Sequence, residues 1–151
     1  MKRLHIVLAL AAAAVSATGT VGTAGAATGS TIKLTGRVSQ VRVVVDAKPK
    51  GRSAGDIASL SGVLFSGGKR IGRYGGTCIQ LAGGNQQCSF TLGLPKGQIA
   101  LSAGYGPAMN TSAVALEAVI GGTGAYEGAR GQAKDRETGE TTMSLEIHLL
   151  P

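Results

Sequence analysis

The chain has 151 residues, enough for one domain with a core of its own, and carries a formal charge of +7 at pH 7. With no Trp and only two Phe, it lacks the stacking platform of a single-strand nucleic-acid binder. Two cysteines and two histidines, one of them His5 near the N-terminus, leave too few ligands for a structural zinc site.

The first 26 residues read as a secretory leader. Met1, Lys2 and Arg3 form a positive start, residues 4–15 are apolar, and Ala24-Gly25-Ala26 offers a small-residue cleavage site. The apolar run is shorter than the roughly 20 residues that span a bilayer, and no later segment reaches that length. A single exported domain over 27–151 is the expectation. Removing Lys2 and Arg3 with the leader takes the formal charge from +7 to +5.

Residues 31–46 are rich in β-branched side chains without helical spacing and predict one long strand, or two joined at Gly36. Residues 47–56 form a polar, glycine-bearing loop. Strands follow over 57–66 and 69–81, joined at Gly67-Gly68. A turn at 82–85 leads into a strand over 86–94. Its symmetry sets Cys78 opposite Cys88, so in an oxidising compartment the two are expected to form a disulfide stapling the hairpin.

Further strands are predicted over 98–105 and 112–120. Gly121, Gly122 and Gly124 then build a corner leading into a strand over 125–135, and 136–140 reads as a polar turn. In the last strand Met143, Leu145, Ile147 and Leu149 alternate with Thr142, Ser144, Glu146 and His148, the pattern of a half-buried strand. About eight strands with short glycine turns and no helix predict an all-β, eight-stranded antiparallel barrel, filled or holding one small ligand.

Conventional sites find little support. The Gly122-to-Glu127 run follows a strand but opens no helix, and no Lys-Ser or Lys-Thr follows it, so it is not a phosphate loop. His148 falls on the polar face beside Glu146, which argues against a nucleophilic triad. Asp46 and Asp56 read as turn caps, and Glu127 with Arg130 as a structural pair. The clusters Lys48, Lys50, Arg52 and Lys69, Arg70, Arg73 could attract an anionic polymer, though solvated loops are the favoured account of them, and no specific nucleic-acid partner is implied.

Four stretches recur in the order of one family: 55–66 (GDIASLSGVLFS), 70–78 (RIGRYGGTC), 97–100 (GQIA) and 119–131 (VIGGTGAYEGARG). Together they resemble the allene oxide cyclase-like barrels, and the last is similar to a glycine corner of plant dirigent proteins. The resemblance covers roughly residues 38–149. It implies an eight-stranded barrel with an apolar pocket, in dimers or trimers, without a metal or cofactor. In plant allene oxide cyclases a first-strand glutamate and an asparagine hold an ordered water. Here residues 31–46 contain no Glu, and Gly62 stands at the asparagine position, although Cys78 and Tyr105 match. The cyclase activity itself is therefore not expected.

With Gly62 facing inward, the period of two brings Leu60 and Leu64 with it. Cys78 and Gln80 face in from the next strand, and Tyr105 offers a hydroxyl. Two readings follow. In one, an exported barrel binds an apolar small molecule through Leu60, Gly62, Leu64, Gln80 and Tyr105 and steers its cyclisation or coupling. In the other, the barrel is packed solid and its basic loops meet an anionic polymer.

Overall fold

The computed structural model describes residues 29–106 and 114–151; the leader expected over 1–26 lies outside them. Eight strands run in chain order: β1 (Ser30–Val45), β2 (Ile57–Ser66), β3 (Lys69–Gln80), β4 (Gln86–Leu94), β5 (Gly97–Tyr105), β6 (Val114–Gly124), β7 (Gly131–Gly139) and β8 (Thr142–Leu149). Each pairs antiparallel with the next, and β8 returns to β1 to close the barrel. A single short 3₁₀ turn, Ala82–Gly84, is the one helical element among the described residues. No helix among them is long and apolar enough to cross a membrane.

The 31–46 region is one strand of 16 residues, with register shifts between Val38 and Gln40 and between Val43 and Val45. Only its first half pairs with β8, from Ser30 against Leu149 to Arg37 against Thr142. Beyond that point β1 has β2 alone as a partner, so Val41 and Val43 stand 63% and 67% exposed. The barrel is therefore open at this end.

The opposite end is packed. Leu34, Leu64, Leu92, Ile99, Leu101, Val119, Ala133, Leu145 and Ile147 come from seven strands and are all at most 5% exposed. Tyr126 and Ala129 close over this core from the β6–β7 connection. Gly124 takes φ 64° there, and the Ala125 N–H donates to Lys96 O of the neighbouring turn.

Three boundaries differ from the sequence expectation, the first being that Gly121, Gly122 and Gly124, expected as a corner, lie within β6 and pair with Ala100, Ile99 and Gly97 of β5. Residues 125–130 form turns, with the Tyr126 N–H donating to Thr123 O and the Ala129 N–H to Tyr126 O. The next strand begins only at Gly131 and continues through Arg136 and Glu137, the residues expected to turn. The Cys78–Cys88 disulfide forms between directly paired positions of β3 and β4.

Candidate functional site: an acidic patch in an apolar lumen

At the open end the lumen holds a cavity of about 240 Å³. Its walls are Val38, Leu60, Phe90, Leu92, Leu101, Met143, Leu145 and the inner side of the disulfide. Cross-strand pairing explains how so narrow a barrel keeps space there. Gly62 pairs with Tyr74, and Gly76 with Phe90. A Cβ at either glycine would collide with the facing ring, so each missing side chain lets an aromatic lie across the sheet. Tyr74 is thereby held 4% exposed among the residues that line the cavity.

The polar part of the lining comes from three adjacent strands. Glu117 on β6 is 2% exposed, and the Tyr105 hydroxyl of β5 donates to its Oε1 in a short hydrogen bond. Asp135 on β7 pairs in register with Ala115, which makes it a diagonal neighbour of Glu117 on the inner face. Glu137 and Glu140 follow toward the rim.

Burial acts on Asp135, Glu117, Tyr105 and Tyr74. It pushes the Asp135 carboxyl up to about 7, with the charges of Glu117 and Glu137 adding to the effect. Glu117 is also raised by burial, and the Tyr105 hydrogen bond opposes the shift. The Tyr105 hydroxyl is raised far above its ordinary value, by burial first and then by Glu117. Tyr74 is pushed up to about 12 by burial and the nearby Asp135. Its Oη, like Asp135 Oδ1, has no hydrogen-bond partner among the described residues.

No protein-family model matches the sequence, and no curated protein matches it. Solved structures do. A pyocyanin demethylase superposes with a TM-score of 0.70 at 24% identity, covering 80% of this chain and 99% of that one. A pterocarpan synthase dirigent protein gives 0.64 at 16% identity, covering 83% and 96%. The Diels-Alderase AbmU from Streptomyces koyangensis gives 0.60 at 18% identity, covering 82% and 70%. The fold is that of the dirigent-like barrels. At these identities the likeness concerns the barrel, and the site has to be read from its own residues.

In this dirigent-like barrel the residues singled out from the sequence separate. Leu60 and Tyr105 line the cavity. Leu64 is wholly buried in the packed end, two positions further along β2 and away from the cavity. Gly62 supports Tyr74 from behind and presents no surface to the lumen.

Gln80 does not line this cavity but a second depression, with Asp46, Arg52 and Asp56. Its amide is fully engaged: Oε1 accepts from Arg52 Nε at 2.9 Å and Gln86 Nε2 at 3.0 Å, and Nε2 donates to Asn85 O at 2.8 Å. Asp56 caps the loop beside it, accepting from the backbone N–H groups of Ala47 and Ser53 at 2.8 and 2.7 Å. These bonds, that to Ser53 foremost, hold its carboxyl below the usual carboxylate range. Glu117, Asp135 and Tyr74 were not anticipated as site residues, and they add polar groups to a pocket expected from Leu60, Gly62, Leu64, Gln80 and Tyr105.

Proposed function

We propose that this barrel takes up an apolar small molecule through its open end and steers the cyclisation or coupling of that molecule. The observation that carries the proposal is the cavity itself: an apolar, one-ended chamber with a few convergent polar groups, the usual character of a small-molecule site. Its 240 Å³ lies just under the common range of about 300–1,000 Å³, which favours a compact ligand of two or so fused rings. The fold relatives include dirigent proteins and Diels-Alderases, named for reactions in which a barrel directs bond formation.

Two physical effects support such steering. Confinement by Leu60, Phe90, Leu92 and Met143 restricts a flexible chain to few conformers, which converts entropy into rate. A carboxyl poised near neutrality, Asp135, gives or takes a proton where charge develops, and Glu117 with Tyr105 forms a second proton-bearing pair. The leader-like first 26 residues and the disulfide support work outside the cell. A barrel packed solid and serving only as a surface for an anionic polymer fits the cavity poorly.

Native mass spectrometry of the exported protein tests the proposal. A co-purified small molecule, or uptake of a two-ring apolar probe that shifts Tyr105 and Phe90 resonances, is the expected result. A protein that arrives empty and takes up no such probe overturns it.

A further inference from the structure

The charges in the lumen are all of one sign. Glu117, Asp135, Glu137 and Glu140 line the cavity, and the described residues around it include no Lys, Arg or His. This occurs in a chain whose formal charge is +7, and every Lys and Arg among the described residues is exposed. Glu117 is buried and Asp135 half-buried, with Glu137 and Glu140 exposed at the rim, and carboxylates withdrawn from water without a counter-charge are costly and ordinarily paired. Two further observations point to what completes it. Tyr74 is 4% exposed, lines the cavity, and its Oη has no partner among the described residues; Asp135 Oδ1 is equally unpartnered. Buried polar atoms without partners call for one.

The aromatic residues concentrate at the same place. The chain has three Tyr and two Phe, and three of these five, Tyr74, Phe90 and Tyr105, line this one cavity. Aromatic faces together with carboxylates form the usual receptor for an organic cation, the faces meeting the cation by their quadrupole and the carboxylates by charge.

We infer that the ligand is a compact aromatic or polyene molecule carrying a protonated nitrogen, held by its N–H groups between Tyr74 Oη, Asp135 and Glu117. The same lumen rejects carboxylate-bearing ligands, since it offers an anion neither a cation nor a free backbone donor cluster. The inference rests on the proposed function in one respect only, that the lumen is the binding site.

Three probes of one shape and different charge test it: 1-naphthylmethylammonium, 1-naphthalenemethanol and 1-naphthoate, titrated calorimetrically at pH 8 into the full folded chain. The ammonium is expected to bind at least about tenfold more tightly than the alcohol, with the naphthoate weakest. Asp135→Asn should lower the ammonium's affinity by far more than the alcohol's and so remove most of that advantage, and Tyr74→Phe should reduce it less.

Should a variant fail to fold, the unmutated protein supplies the same test through pH. Facing Asp135 are Glu117 from β6, Tyr105 from β5, Tyr74 from β3 and Glu137 on β7 itself, while Met143 and Leu145 of β8 add no charge. Ammonium affinity should therefore rise severalfold from pH 5.5 to pH 8, and the alcohol's should not. If the alcohol or the naphthoate binds as tightly as the ammonium, the inference on charge falls and the lumen remains a binding site. If none of the three binds, both fall together.

Discussion

A carboxyl in an apolar lumen works against the fold that holds it, and Asp135 allows the size of that opposition to be measured. Its folded value of about 7 lies above the ordinary 3.8, so the folded protein keeps a proton that the unfolded chain has already released. Stability contributed by the protonated form is present below about pH 4, declines as pH rises, and is lost once pH passes 7. Asp135→Asn cannot ionise. Its unfolding free energy should match that of the parent near pH 4 and exceed it by about 1–3 kcal/mol at pH 8. Urea melts across that range would show the gap opening, and a gap independent of pH would contradict the assignment.

At this scale the sequence misleads for a definite reason. On β6 the residues Val114, Leu116, Ala118 and Ile120 form the more apolar face, yet they point outward, with Leu116 and Ile120 58% and 61% exposed. The opposite face, Ala115, Glu117 and Val119, is the buried one. Alternation marks the two faces of a strand, but it cannot tell the lumen from the exterior when both carry apolar residues.

Among the elements, paired glycines and aromatics decide the shape of the lumen. Gly62→Ala would place a methyl group against both the Tyr74 ring and Arg37 O, and the flexible partner is the ring. Tyr74 should swing into the cavity, costing about 1–3 kcal/mol of stability and reducing uptake of two-ring probes. An alanine accepted there without loss of either would show that the ring is not held by that contact. The Cys78–Cys88 hairpin is the other constraint on this wall. Replacing both cysteines by alanine should lower stability by about 2–3 kcal/mol, given the sequence separation of 10. The difference is readable as a shift in urea midpoint between otherwise identical preparations.

Element order was largely legible because each hairpin carried its own turn chemistry, and β2 and β4 keep the bounds that their glycine turns set. The seventh strand was not. Arg136 and Glu137 look like a turn by composition, but a strand that carries the acidic patch of the lumen has no reason to alternate. Ala125 to Ala129 looks strand-like, but it is a turn whose Tyr126 and Ala129 pack as a lid on the closed end instead of joining a ladder.

For the whole molecule, the outward apolar strip of β6 raises the question of what covers it. Leu116 pairs across the sheet with Lys134 and Val114 with Arg136, so exposed apolar residues run beside a row of exposed cations. An apolar strip with a charged border is the usual form of an association surface. Other copies of this chain would cover such a strip, and that is the prediction to test. Native mass spectrometry at micromolar concentration is expected to find oligomers, and Leu116→Glu to convert them to monomers without moving the thermal midpoint of the isolated barrel by more than a few degrees. The lumen of each barrel opens at the end away from the packed core, so probe uptake should persist in the monomeric variant. A parent protein that stays monomeric would contradict self-association through this strip. Loss of uptake together with oligomers would mean that the cavity needs a neighbouring copy to hold its shape.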